Sequence, residues 1–320
     1  MRAIVVWLLF AGISAASAQD YPAKSVTIIV PFPAGGPTDQ VARQLAAKFS
    51  EKLGQPFVVE NVTGGNTIIA SHRLARAAPD GYTLLVHNLQ ITANPGLYGA
   101  KLPYDTERDI APVGFINHNP LVLVGRKALA PNSLAELIAE MRKKQLNFAH
   151  PGAGTTGYIT TALFLQEAKL DALLVPYRGA APALQDMVGN HVDLFFTTPQ
   201  AVLALVNAGQ LKAYGITAKE QYAQFPGAAS FVELYGPKLE IQYWHALFAP
   251  AATPKGTVEK LNGALQALLD DPATVKGWTA AGVLPYAKDE RSTDAAQKLF
   301  KSEIARWGEV IRENKIQAPD

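Results

Sequence analysis

A strand, a glycine-rich turn and a helix follow one another without a gap at two places in this chain, and this repeated unit constrains the fold more than any other feature. At the first, the apolar run 25–30 enters Pro31-Phe32-Pro33-Ala34-Gly35-Gly36-Pro37, which no helix interior tolerates. Thr38 and Asp39 are placed to cap the next helix, which carries Val41, Leu45, Phe49 and Leu53 on one face and stops at Gly54. At the second, the short strand 146–149 enters Gly152-Ala153-Gly154-Thr155-Thr156-Gly157 and a helix through Leu163 and Leu165. Further strands are predicted at 57–59, 83–86, 121–124, 173–175, 192–196, 211–216 and 246–248. Among the intervening helices, one opens at Ser133 with Glu136 completing a capping box. Two more close the chain, one on Val258, Leu261, Leu265 and Leu268, the other on Leu299, Phe300, Ile304, Trp307 and Ile311. This alternation predicts an α/β fold with two mostly parallel sheets and helices on both faces of each.

No low-complexity tether separates the two halves, so the chain is expected to cross between lobes on its strands, near 121–124 and 243–248. Lobe 1 is then 19–122 plus 246–320 and lobe 2 is 123–245, with a cleft between them.

Residues 1–18 read as an export signal. Arg2 is the only charge before Asp20, the apolar run 4–10 is short, and Ala16-Ser17-Ala18 is an A-x-A cleavage site. A membrane span needs about 20 apolar residues, and none is available. Cleavage is expected after Ala18, and because residue 19 is Gln rather than Cys the new terminus carries no lipid. The absence of cysteine excludes disulfides, thiolate metal sites, iron–sulfur clusters and a cysteine nucleophile. Lys+Arg 29 against Asp+Glu 27 gives no net electrostatic case for a nucleic-acid partner.

The segment 152–157 matches G-x-G-x-x-G after a strand and before a helix. The acid that would hold a ribose should end the following strand, but Asp171 precedes it, and dinucleotide binding is set aside. The same physics admits any anion, because a glycine turn at a helix N-terminus presents unpaired backbone N–H groups and the positive end of the helix dipole. Thr155 and Thr156 add hydroxyls, and Ala34-Gly35-Gly36 has the same layout, so two turns facing each other can hold the two ends of a dicarboxylate. The plainer alternative is two tight connections. The six histidines show no i, i+4 pair and no H-E-x-x-H context, which argues against zinc. Neither a G-x-S-x-G elbow nor a Walker A sequence occurs. Arg178 is an anion ligand or a solvated loop arginine, and Asp193, inside an apolar strand, is a pocket residue or a structural anchor.

The opening run 30–39 with Ala42-Arg43 resembles the signature of the Bug (TctC-like) solute receptors of tripartite tricarboxylate transporters. The resemblance continues through Leu53-Gly54-Gln55-Pro56, Glu60-Asn61, the run 79–85, Asn94-Pro95 with Leu97-Tyr98, and Pro151-Gly152-Ala153-Gly154-Thr155. It extends through Val175-Pro176-Tyr177-Arg178-Gly179 and the run 209–213 to Ala249-Pro250 with Thr253-Pro254, so it spans nearly the whole chain. It implies a two-lobed type II periplasmic binding fold that closes on its ligand as a clamshell. It also implies that backbone amides of the loops 32–36 and 152–156 hold a ligand carboxylate, often through water, and that 87–90 and the segment after Asp193 line the cleft. The chain departs from the family pattern at Ala70, where a glycine is usual, at the larger His87-Asn88, and at Tyr158, where histidine is common. Thr197 stands where some amine-binding members carry an acid, which disfavours an amino-acid ligand.

The expected function is therefore a periplasmic receptor, not an enzyme, that captures a small mono- or dicarboxylate, aromatic ones included, and hands it to integral-membrane permease subunits. The expected ligand-binding set is Phe32, Ala34, Gly35, Gly36, Asn88, Gly152, Gly154, Thr155, Thr156, Tyr177, Asp193 and Thr197, with Thr38 and Asp39 as capping support. No metal or cofactor is expected, and the receptor is expected to act as a monomer. The alternatives are a receptor feeding a sensor kinase and, from another class, an exported hydrolase on the same fold, which would need a nucleophile beside a base.

Overall fold

The computed structural model describes residues 21–152 and 154–317, so the signal segment 1–18 lies outside the described residues. The first half of the chain forms β1 (Val26–Val30), α1 (Pro37–Leu53), β2 (Phe57–Asn61), α2 (Ile68–Ala75), β3 (Thr83–Asn88), α3 (Gln90–Tyr98), α4 (Thr106–Asp109), β4 (Ile110–Pro120), β5 (Val122–Arg126) and α5 (Leu134–Met141). There follow β6 (Leu146–His150), α6 (Thr156–Ala168), β7 (Ala172–Pro176), α7 (Ala180–Val188), β8 (Leu194–Thr197), α8 (Pro199–Asn207), β9 (Leu211–Ile216), β10 (Ala229–Ser230) and α9 (Phe231–Tyr235). The chain ends with β11 (Gln242–Pro250), α10 (Lys255–Leu269), α11 (Pro272–Ala280), β12 (Leu284–Pro285) and α12 (Thr293–Glu313).

The strands form two six-stranded sheets, β12-β4-β11-β3-β1-β2 and β10-β9-β5-β8-β6-β7. Period-2 alternation lets each sheet carry helices on both faces. In β1, Val26, Ile28 and Val30 pack with Val41, Leu45 and Phe49 of α1 and Leu261, Leu265 and Leu268 of α10. Ile29 faces the other way, into the core that holds Phe300, Trp307 and Ile311 of α12. The second sheet does the same, with Val122 and Val124 toward Met187 of α7 and Val202 of α8, and Leu123 toward Leu134, Leu137 and Leu163.

The expectation of mostly parallel sheets narrows to mixed ones. Pairs β1–β2, β1–β3, β6–β7, β6–β8 and β9–β10 are parallel, while β11 runs antiparallel to β3 and β4, β12 to β4, and β5 to β8 and β9. All the parallel pairs but β9–β10 are joined through helices, which the sequence periodicity displays. The strand β4 is not among the predicted strands; Pro112, Gly114, Asn117 and Asn119 interrupt its pattern, and it is held by its register with β11.

The chain passes between the sheets at Leu121, the single residue between β4 and β5. It returns over 231–241, ahead of the segment 243–248, which lies within β11 of the first sheet. Thr217 stitches the two passages together. Its N–H donates to Leu121 O at 3.0 Å, its hydroxyl oxygen accepts Leu121 N–H at 2.8 Å, and the same hydroxyl donates to Ile241 O at 2.7 Å.

Candidate functional site

Helices α1, α6, α7 and α8 each begin directly after a strand or a short turn, and their first residues meet around one cavity between the two sheets. Its wall includes the four N-cap residues Gly36, Thr155, Gly179 and Thr198. The first-turn amides of each helix have no intrahelical acceptor, so the wall is rich in N–H donors and dipole ends of positive sign. Proline occupies N1 of α1 (Pro37) and of α8 (Pro199), where the missing N–H costs nothing. The cavity measures about 120 Å³. At a water's share of about 30 Å³ in the liquid, that is space for a small cluster of waters or one compact ligand.

The rest of the wall is largely apolar: Phe32, Pro33, Ala34, Leu121, Pro151, Pro182, Phe195 and Phe196. Asn88, Tyr243, Thr38, Thr156 and Thr197 supply polar groups, and Arg178, an exposed side chain, is the one charged residue of the wall among the described residues. The hydroxyls of Thr156 and Thr198 are buried and have no partner among the described residues. No group of three or more His, Asp or Glu side chains able to hold a metal ion occurs among the described residues.

Of the residues singled out from the sequence, Phe32, Ala34, Gly36, Asn88, Thr155, Thr156 and Thr197 line the cavity, with Thr38 beside them. The others stand elsewhere. Gly35 donates its N–H to Asp39 Oδ2 at 2.9 Å. Gly152 and Gly154 turn the chain with φ of 124° and 73°, and a Cβ on Gly154 would meet Leu97 Cδ1 of α3 at 2.8 Å. Tyr177 donates its hydroxyl to Asp186 at 2.8 Å and packs in the core under α7; burial first, then that carboxylate, pushes its phenol up to about 12. Asp193 accepts from Arg126 Nε at 2.7 Å and from Asn147 N–H at 2.8 Å, which anchors β8 to β5 and β6.

The capping expectation is corrected. Gly36 is the N-cap of α1 and Pro37 its first residue, and neither Thr38 nor Asp39 caps it. Proline's fixed φ sets where the helix begins, which moves Asp39 to N3. From there its carboxylate reaches back to Gly35 N–H, pairs with Arg43 Nε at 2.9 Å, and accepts from Asn61 Nδ2 at 2.9 Å. Asn61 also donates to Phe32 O at 2.9 Å, so this cluster fixes the shape of the whole first turn.

In the second turn, the Thr155 hydroxyl donates to Gly152 O at 2.6 Å and accepts the Tyr158 N–H at 3.3 Å, so it is a cap rather than a free ligand donor. Gly157 lies against the backbone of β8: a Cβ there would stand 2.9 Å from Phe196 O. On the opposite wall, Asn88 Nδ2 donates to the Tyr243 hydroxyl at 2.9 Å, and Thr38 Oγ1 lies 3.3 Å from that hydroxyl and 3.2 Å from His245 Nε2. His87 and His245 are fully buried, and burial lowers both imidazoles to about 3, so both are neutral at ordinary pH.

Sequence reasoning missed Tyr243, Thr198 and Gly179. The signals for the last two were present, since Thr198-Pro199 has the N-cap–N1 pattern and Gly179 precedes an apolar helix face. Tyr243 had none, because it reaches the site only through the antiparallel register that sets His245 opposite Asn88.

Known proteins share this fold. Residues 41–316 match the family model described as tripartite tricarboxylate transporter family receptor. The periplasmic binding protein BugD superposes with a TM-score of 0.86 at 31% identity, over 93% of this chain and 99% of that one. MatC from Rhodopseudomonas palustris, solved with bound malate, gives 0.84 at 35% identity over 91% and 100% of the two chains. A second R. palustris protein, solved with adipate, gives 0.86 at 32% identity over 94% and 100%.

Proposed function

The chain belongs to the receptor family of the tripartite tricarboxylate transporters, and from that membership we propose that it captures a small organic carboxylate between its two lobes and delivers it to membrane permease subunits of such a transporter. One observation carries the reading: four helix N-termini surround one cavity whose wall holds no carboxylate side chain among the described residues. An anion gains there from oriented amides and dipole ends without a desolvated counter-charge. The malate and adipate bound by the two R. palustris relatives support this ligand class.

Both lobes contribute to the wall, so a ligand touches all of it only when the lobes are together. Its differential affinity for that state drives closure. No histidine or carboxylate stands in the wall, among the described residues, to activate a hydroxyl, which favours binding over turnover. Export to the periplasm, with cleavage after Ala18, completes the proposal and rests on the basic start, the short apolar run and the A-x-A site.

Thermal denaturation against a panel of mono- and dicarboxylates tests it. At least one acid raises the melting temperature with the logarithmic concentration dependence of one-site binding, about 2.7 kcal/mol at a hundredfold excess over Kd. No shift with any acid, or steady product release from esters or amides, overturns it.

A further inference from the structure

Building on the carboxylate reading, we propose that Tyr243 selects ligands bearing a hydroxyl group, by accepting a hydrogen bond from it, so that the preferred ligands are hydroxycarboxylates. The argument is one of hydrogen-bond direction. The Gln90 backbone N–H donates to Asn88 Oδ1 at 3.0 Å, and a backbone amide can only donate. The nitrogen of the Asn88 amide therefore faces Tyr243 and donates to its oxygen at 2.9 Å. Tyr243 has one proton, and its inward acceptor is Thr38 Oγ1 at 3.3 Å. Thr38 Oγ1 in turn lies 3.2 Å from His245 Nε2, to which its O–H donates in this order.

The far end of the chain is compatible with this order. His245 is neutral because burial lowers its imidazole to about 3, so it carries one ring proton. Nδ1 lies 2.7 Å from Asn117 Oδ1; with the amide oxygen toward the ring, the proton sits on Nδ1 and Nε2 accepts from Thr38. The order Asn88 to Tyr243 to Thr38 to His245 to Asn117 is then donor-to-acceptor throughout. With its proton committed inward, Tyr243 turns a lone pair to the cavity. A carboxylate oxygen is repelled there, whereas a hydroxyl is satisfied. An ammonium would also donate, but the wall offers it no carboxylate and does hold Arg178. Thr38 and His245 are positioning residues that act through Tyr243. The reverse order, with the ring proton on Nε2, would turn the phenol proton outward and make opposite predictions.

Calorimetric affinities for matched pairs decide between them: lactate against propionate, malate against succinate, and 3-hydroxyadipate against adipate. Whichever pair fits the cavity shows the hydroxylated member tighter by about 3–10-fold. Tyr243→Phe brings that ratio to about one. Thr38→Val removes the inward acceptor, frees the phenol proton, and shifts preference from lactate toward pyruvate or from malate toward oxaloacetate. Each ratio is taken within one variant, so a general loss of folded protein leaves it unmoved. Equal or better binding of the unhydroxylated acid, or a ratio that survives Tyr243→Phe, overturns the inference and leaves the carboxylate reading standing. Binding of none of these acids while another carboxylate of the panel binds overturns the inference alone, and binding of no carboxylate overturns both.

Discussion

The Asp39 carboxylate accepts the Gly35 backbone N–H at 2.9 Å, so one amide of the first glycine turn already holds an anion belonging to the protein itself. The turn is therefore not an open cradle of amides. Its shape is set by Asp39, Arg43 and Asn61, and α1 offers a ligand the first-turn amides of Thr38 and Asp39. Pairing with Arg43 balances the buried charge that would otherwise repel an incoming carboxylate.

Asp39→Ala should destabilise the protein by about 1–3 kcal/mol, because Gly35, Arg43 and Asn61 lose a charged acceptor together. Burial alone would raise this carboxyl. Hydrogen bonds from Arg43, Gly35 and Asn61 and the Arg43 charge hold it below its ordinary value. A depressed folded pKa contributes stability above the unfolded value, about 3.9, and loses it as pH falls through the folded one. Denaturant midpoints of the wild type should drop over that acidic window more steeply than those of Asp39→Ala; parallel curves would refute the coupling.

Two buried imidazoles set a second, higher pH window. His87 and His245 are lowered to about 3 by burial. The unfolded chain binds these protons near pH 6.5 while the folded chain does not, so stability rises with pH between about 3 and 6.5. Urea unfolding followed from pH 7 to pH 4 should show a loss that approaches two protons' worth of slope. Ligand affinity, corrected for the ligand's own titration, should stay flat from pH 6 to 8, because neither ring titrates there.

Asp193 joins three strands and touches no cavity wall. Arg126 Nε at 2.7 Å and Asn147 N–H at 2.8 Å bind its carboxylate, and its carbonyl accepts Arg126 N–H at 3.0 Å. Asp193→Ala should cost about 2–4 kcal/mol in urea unfolding, by leaving a half-buried guanidinium and a backbone donor unpaired. Calorimetric affinity measured well below the melting temperature should change less than twofold; a tenfold loss would return Asp193 to the ligand.

The fold was legible wherever its cause is local. Pro37, the period of Val41, Leu45 and Phe49, and Gly54 with φ of 72° mark α1 within the chain itself, and Ser133 accepts the Glu136 N–H as its spacing implies. The site was legible where a turn residue is also a wall residue, as at Gly36 and Thr155. It was obscure where the cause is a partner distant in sequence. Thr38 and Asp39 have cap-forming side chains, but which peptide turns first depends on the ring of Pro37. Tyr243 reaches Asn88, 155 positions away, only through strand register. Gly154 has the composition of an anion cradle, yet its φ of 73° and the nearness of Leu97 give it to the apposition of the two lobes.

Thr156 and Thr198 stand in the cavity wall, and their hydroxyls are buried and without a partner among the described residues. A buried hydroxyl that makes no hydrogen bond penalises the empty protein, and a ligand that supplies the partner recovers that penalty on binding. Thr156→Val and Thr198→Val keep the shape and remove the oxygen. Each should leave the ligand-free melting temperature unchanged or raise it, and weaken carboxylate binding by about 3–10-fold. The opposite signs separate a ligand contact from a structural one: if the hydroxyls served the fold, melting temperature would fall and affinity at low temperature would hold. The double variant should multiply the two affinity losses if the hydroxyls meet different ligand atoms, and fall short of the product if they share one.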